Sequence, residues 1–247
     1  MDNSPTLSTK RKWLLFQAAA DFFFLLNKFY PRTAALEMVG NRYALNARER
    51  MMLSRGLFSQ QEALGRLQKR EPGPGSQMEL LAVDGHNVQI TIESFLEGRL
   101  LLKANDGALR DLAGQSYRFR LSETSNMALD MMFRFFEEFP PSQVLFLFDA
   151  PMSRSGELAA VYRDRLIRAG ISGRALAVPV PEREFPYGTC VAASSDRAVL
   201  DSSSRWIDLA CLIIDWLGVP RITADFSGII LANSAEKRLF EDNGAFW

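Results

Sequence analysis

Apolar residues recur at three- and four-residue spacing through Leu14, Leu15, Ala18, Phe22, Leu25 and Leu26, which predicts one face of a helix over residues 7–29. Pro31 ends that segment, because it can donate no helical hydrogen bond. Thr33 opens a short helix through Ala35, Leu36 and Val39, and Gly40-Asn41 closes it. Asn46 followed by Glu49 reads as a cap for a helix carrying Met51, Met52 and Leu53. Ser59 followed by Glu62 reads as a capping box for a helix ending near Lys69-Arg70. Four helices in residues 1–70 predict a small bundle.

The pattern changes after Glu71-Pro72-Gly73-Pro74-Gly75-Ser76-Gln77, a linker by composition. Short apolar runs follow at 78–83 and 143–148, ending in Asp84 and Asp149. Further strands are expected at 174–180, 189–193 and 221–224, with helical patterns at about 124–139, 154–169 and 203–217. Strands alternating with helices predict a mostly parallel sheet covered on both faces. The expected organisation is α/β: a helical domain over 1–70, a linker at 71–77 and a three-layer α/β/α domain over 78–247.

Charge sharpens this division. The chain is formally neutral, yet residues 1–70 hold 12 Lys/Arg against 5 Asp/Glu, a balance of +7, and the rest carries −7. Such asymmetry points the first part at an anionic partner, with Arg42, Arg48, Arg50 and Arg55 as candidate nucleic-acid contacts. The plainer alternative is mutual neutralisation between the halves. Lys10-Arg11-Lys12 before an apolar run mimics a signal peptide, but Asp21 interrupts it and amphipathic spacing continues. No uncharged stretch of ~20 residues is present to span a bilayer. A cytoplasmic chain with no membrane partner is expected.

Chemistry must come from few residue types. Two cysteines, Cys190 and Cys211, exclude a disulfide framework and multi-cysteine zinc modules, and both read as core residues. One histidine, His86, excludes a His-rich metal site. The chain has no phosphate-binding G-x-x-x-x-G-K-[ST], no G-x-G-x-x-G, no G-x-S-x-G and no H-E-x-x-H. Acids remain. Asp84 and Asp149 end strands, and Asp196 follows the strand-like Cys190–Ser195. Ligands of open parallel sheets bind beyond the carboxyl ends of the strands, so three strands would deliver a carboxylate to one edge. Each Asp alone reads as readily as a turn or helix cap. Together they repel, by roughly 4 kcal/mol per pair ~4 Å apart at an effective dielectric of 20, unless a cation or a proton neutralises them. Oxygen-only donors suit Mg²⁺ or Mn²⁺. His86 reads equally as a general base or phosphate contact and as a turn residue bonded to backbone. Ser153 and Ser155 either open a phosphate-binding helix terminus or cap it.

The segment Asp84-Gly85-His86-Asn87-Val88 after an apolar strand resembles the D-G-x-N opening of PIN-like and NYN-type nucleases. The whole chain also resembles the bacterial and archaeal family called domain of unknown function 434. The resemblance lies in Tyr30-Pro31-Arg32, Val39-Gly40-Asn41-Arg42-Tyr43, Arg48-x-Arg50, Asp106-Gly107-Ala108-Leu109-Arg110-Asp111, Phe148–Gly156 and Ser195-Asp196. It implies that Asp84, Asp149 and Asp196 are catalytic metal ligands, that Asp106 or Asp111 completes the acidic cluster, and that Asn87 anchors the loop behind it. Asn87, Arg110, Ser153, Ser195 and His86 are the substrate or phosphate contacts so implied. Ala198 departs from the pattern, standing where a further acid is frequent. The expected activity is Mg²⁺- or Mn²⁺-dependent hydrolysis of phosphodiester bonds, in RNA by preference. The alternatives are a non-catalytic nucleic-acid-binding or regulatory protein on a PIN-like scaffold, and a nucleotide- or phosphate-handling enzyme. A homodimer is compatible with each.

Overall fold

The computed structural model describes residues 8–73, 80–112, 122–152, 154–221 and 223–229. The chain opens with α1 (Thr9–Asn27), α2 (Arg32–Arg42), α3 (Ala47–Gly56) and α4 (Gln60–Leu67). Then come β1 (Leu81–Asp84), α5 (Gly85–Leu96), β2 (Leu101–Lys103), β3 (Leu109–Arg110), α6 (Glu123–Glu138), β4 (Val144–Asp149) and α7 (Ser155–Arg168). It continues through β5 (Gly173–Val178), α8 (Pro181–Glu184), β6 (Val191–Ala193), α9 (Arg197–Ser202), β7 (Trp206–Ile207), α10 (Leu209–Trp216) and β8 (Thr223–Asp225). The result is a mixed α/β fold with N-terminal helices and a parallel five-stranded sheet, the class the sequence predicts.

The helix starts follow from their caps. Asn46 Oδ1 accepts the Glu49 N–H while Glu49 Oε2 accepts the Asn46 N–H, each at 2.9 Å. Ser59 and Glu62 make the same reciprocal pair at 3.3 and 2.9 Å. Two otherwise orphaned amides are satisfied each time. α1 buries Leu15, Ala18, Ala19, Phe22, Phe23 and Leu26, the face that the spacing marks.

The chain divides into two compact units, and the division crosses the expected boundary twice. The first unit is Met1–Leu67 with Arg99–Leu112 and Arg221–Trp247; the second is Gln68–Gly98 with Ala113–Pro220. The helices alone do not close their core. Leu102, Ala224, Phe226 and Ile229 pack into the cluster of Phe22, Phe23, Leu53 and Leu57. A Cβ on Gly56 would meet the Phe226 ring at 2.5 Å, so only glycine admits that approach. Within this unit β3, β2 and β8 form a small sheet in that order. The strand expected at 221–224 therefore exists, at 223–225, but pairs with β2. The stretch read as a helix over 203–217 instead divides into β7 and α10, because Asp208 accepts the Cys211 N–H at 3.0 Å and starts the helix afresh. Residues 74–77 of the expected linker lie outside the described residues.

In the second unit the strands run in the order β5-β4-β1-β6-β7, all parallel. Their near-continuous apolar character, such as Val144–Phe148, fits strands buried on both faces. α5, α6 and α10 pack on one another, and α7 packs on β4 and β5. The core is aromatic, with Phe133, Phe136, Phe146, Phe148 and Tyr162 in mutual contact. Successive crossovers lead from β1 outward through β4 to β5, then return to β6 on β1's other side. The connection reverses between β1 and β6, which makes the gap at their carboxyl ends a topological switch point.

A candidate functional site at the switch point of the parallel sheet

Three sequence-predicted acids lie at the carboxyl edge of this sheet, in the second unit. Asp84 is level with Leu147, so Asp149 stands two residues, about 6.6 Å, farther along the neighbouring strand. Two-residue alternation puts Asp84 and Asp149 on the same face. On the other side Val83 pairs with Ala193, which brings Ser194 level with Asp84. Ser194 Oγ donates to Asp84 Oδ2 at 3.0 Å and accepts the Asp196 N–H at 2.9 Å. One hydroxyl thus ties two of the acids across the switch point.

Two of the three are also helix caps. Asp84 Oδ1 accepts the Asn87 N–H at 3.2 Å and starts α5. Asp196 Oδ1 accepts from Ala198 at 2.8 Å and Val199 at 3.4 Å and starts α9. Among the described residues Asp149 caps no helix; its backbone is held instead. Its N–H donates to His86 Nδ1 at 3.1 Å, and its carbonyl accepts the Ser155 hydroxyl at 2.6 Å.

Electrostatics separate a site from a set of caps. Burial pushes the Asp84 carboxyl up, and the charges of Asp196 and Glu182 push it further; the Asn87 and Ser194 hydrogen bonds pull back, and the balance leaves it at about 7. The two side chains whose charge raises Asp84 are both acids. Asp149 is raised as well, by burial and then by Glu182. Glu182 lies in α8, near enough to act on both acids, and sequence reasoning missed it. Tyr187 joins the same edge. Its hydroxyl donates to the Glu182 carbonyl at 2.8 Å, and its acidity is weakened first by burial and also by Glu182 and Asp196. The chemistry this permits is binding of a hard cation by oxygen donors, or retention of a proton near neutral pH. Among the described residues, no three His, Cys, Asp or Glu side chains gather into a ready-made metal group.

The remaining sequence candidates divide between this edge and the first unit. His86 is buried, with burial lowering its pKa to about 4, and its ring packs edge-on against Phe148 at 5.2 Å. Since Nδ1 accepts from Asp149, the neutral ring carries its proton on Nε2. Of the two readings of His86, the structure shows the backbone-bonded one. Gly85 makes room for this packing, because a Cβ there would come within 2.3 Å of the Phe148 ring. Asn87 Oδ1 accepts both the N–H and the hydroxyl of Ser195, at 2.8 and 3.0 Å. Asn87 and Ser195 thus lock the β6–α9 loop to the start of α5, the anchoring role the resemblance implies for Asn87. Ser153 lies outside the described residues.

Asp106, Asp111 and Arg110, expected at the acidic cluster, belong to the first unit, where both acids pair with arginines. Asp106 is fully buried, with Arg66 Nη1 at 2.9 Å and both Arg110 terminal nitrogens at 2.8 Å. Burial alone would raise its pKa, but Arg110 and Arg66 hold it below the ordinary carboxylate range. Arg110 is buried in this pair, so it does not present a phosphate-binding fork to solvent. Asp111 takes Arg55 at 3.2 Å. The candidate nucleic-acid arginines divide likewise. Arg50 donates to the Leu45 carbonyl and to Asn41, and Arg55 is engaged by Asp111. Arg42 and Arg48 are exposed, Arg42 lying 3.5 Å from Asp21.

In comparison with known proteins the two parts match different family models. The family described as Domain of unknown function (DUF5616) matches residues 76–211, more than half of the chain. Protein of unknown function (DUF434) matches residues 14–69. A protein of Methanocaldococcus jannaschii described as uncharacterised is 25% identical over 202 residues, covering 81% of this chain and 97% of its own length. No solved structure matches.

Proposed function

The chain belongs to the DUF5616 family, and we propose that it is a divalent-metal-dependent nuclease of PIN-like type that hydrolyses phosphodiester bonds in RNA. The observation that carries the reading is Asp84. It sits at the switch point of a parallel sheet with its pKa raised to about 7, and the charged groups acting on it are Asp196 and Glu182. Carboxylates crowded this way are relieved by a cation, and an all-oxygen donor set suits Mg²⁺ or Mn²⁺. Mg²⁺ takes one or two carboxylates and completes its shell with water and phosphate oxygens, so a pre-gathered cage of three acids is not required.

Asp84, Asp149 and Asp196 would hold the ion. When bound, it would activate water and offset charge on the phosphate. The chain's own residues set the stage. Ser194 fixes the Asp84 carboxylate and the Asp196 backbone together. Asn87 holds Ser195, and hence the loop that carries Asp196. Neutral His86 fixes the Asp149 backbone without adding a charge that would compete with a cation. Burial, reinforced by the charge of Glu182, keeps the proton affinity of Asp84 and Asp149 high.

The test is thermal stability with and without Mn²⁺, together with cleavage of a mixed RNA pool, for the parent, Asp84→Asn and Asp149→Asn. Metal should stabilise the parent and leave both variants unmoved, and cleavage should vanish in both. A parent indifferent to Mn²⁺ that cuts no RNA would end this reading. The second reading is a non-catalytic RNA-binding or regulatory protein on the same scaffold. It is favoured by Ala198, which stands where a further acid is frequent.

A further inference from the structure

We propose that the solvent face of α1 is a binding surface for single-stranded RNA, with Trp13 and Phe24 stacking on bases and Lys10 and Lys28 meeting phosphates. At 100° per residue, Lys10, Trp13, Gln17, Ala20, Phe24 and Lys28 fall within about 80° of one another, opposite the buried face. Trp13 is 61% exposed and Phe24 53% exposed. A helix packed on one side ordinarily turns polar residues to water. Here two aromatic rings stand about 16 Å apart along the axis with a lysine at each end. Lys28 Nζ lies 5.6 Å from the centre of the Phe24 ring, so a cation already adjoins one stacking face.

Charge selects the occupant. α1 carries one acid, Asp21, at the edge of this stripe. The Tyr43 hydroxyl donates to Asp21 at 2.8 Å, and Arg42 lies 3.5 Å from it. The face is therefore net positive around flat rings, the combination with which proteins hold single strands irrespective of sequence. Area argues against a second copy of the chain. The exposed parts of the two rings offer on the order of 250 Å², against about 800 Å² per partner in a standard interface. Gln17 and Ala20 between the rings leave little of the aliphatic surface on which a membrane-lying helix depends. The proposal rests on the reading that this protein meets RNA, and it is independent of whether the second unit cuts it.

The experiment measures fluorescence anisotropy of a labelled oligouridylate of ~15 nucleotides with the full chain in chelator, so that binding is seen without cleavage. Trp13→Ala and Phe24→Ala should each weaken binding roughly tenfold. Both side chains are exposed, so melting temperature should stay put. Lys10→Gln and Lys28→Gln should each reduce the salt slope by about one, while the ring variants leave the slope unchanged. A duplex of equal length should bind more weakly, because its bases cannot stack on the rings. Unchanged affinity in the Trp13→Ala/Phe24→Ala double variant overturns the proposal. So does equal affinity for duplex, or a stripe that governs only self-association or anionic-vesicle binding. If the parent cleaves RNA and the double variant does so with the same KM, the stripe falls and the nuclease stands. If the stripe governs binding and nothing is cleaved, the nuclease falls and the stripe stands.

Discussion

Asp84-Gly85 and Asp106-Gly107 are the same dipeptide, one in each unit, and burial acts on the two acids with opposite outcomes. Asp106 is surrounded by two guanidiniums and held ionised. Asp84 has hydroxyl and amide donors but acidic neighbours, and its pKa climbs to about 7. The first arrangement is internally complete. The second is complete only with a proton or a cation, and that is the physical difference between a structural acid and a candidate site. Proximity in sequence does not reveal it; the charge of whatever the fold places opposite does.

The largest expected effect tests the completeness of the first arrangement. Asp106→Asn leaves Arg66 and Arg110 buried without their carboxylate, and breaking such a buried pair costs about 3–5 kcal/mol. Urea unfolding should register that loss. Replacing all three groups, as Asp106→Leu/Arg66→Met/Arg110→Leu, should recover much of it, since apolar packing of similar volume often equals a buried ion pair. A midpoint in Asp106→Asn within ~1 kcal/mol of the parent would show that water, not the fold, neutralises these guanidiniums.

The second test is pH. His86 has its folded pKa lowered to about 4, so the unfolded chain binds the extra proton between about 4 and 6.5. Its contribution is complete above 6.5 and is lost as pH falls through that window. Asp84 is raised to about 7, so the folded chain holds the extra proton. Its contribution is complete below the unfolded value of about 3.9 and is lost as pH rises through 7. The two oppose each other, each by on the order of 3 kcal/mol. The parent should show a flat stability profile between pH 4 and 7 from these groups. Asp84→Asn should remove one arm and grow more stable, relative to the parent, from pH 5 to pH 8. Parallel profiles would mean that Asp84 is an ordinary exposed cap, and the contrast with Asp106 would collapse.

The sequence disclosed Asp84, Asp149 and Asp196 because all three stand at or just past strand ends, and a parallel sheet puts such ends on one edge. It disclosed the capping boxes because their partners are three residues apart. It did not reveal how Asp106 and Asp111 are neutralised: Arg66 and Arg55 lie 40 and 56 residues upstream, pairings no local pattern encodes, and Arg110, four residues from Asp106, read as a phosphate contact. Glu182 stayed hidden for the same reason, in a four-residue helix after Val180, well before the strand it serves. The basic balance of residues 1–70 was plain, but it could not tell arginines absorbed by backbone carbonyls and acids, such as Arg32, Arg50 and Arg55, from those facing water.

The smallest expected effect separates cap from charge at Asp196. Both functions reside in one carboxylate: Oδ1 satisfies the first amides of α9, while the net charge raises Asp84. Asp196→Asn keeps an acceptor in the capping position and deletes the charge. Stability at pH 5 should be nearly unchanged, within about 0.5 kcal/mol, while the Asp84 titration, followed by NMR of its carboxyl carbon, moves downward. Asp196→Ala deletes both, so it should move the same titration and, relative to Asp196→Asn, also lose about 1 kcal/mol of stability at every pH. If Asn leaves the Asp84 titration where it was, Asp196 is a cap whose charge does not reach the switch point. The candidate site would then rest on Asp84, Asp149 and Glu182 alone.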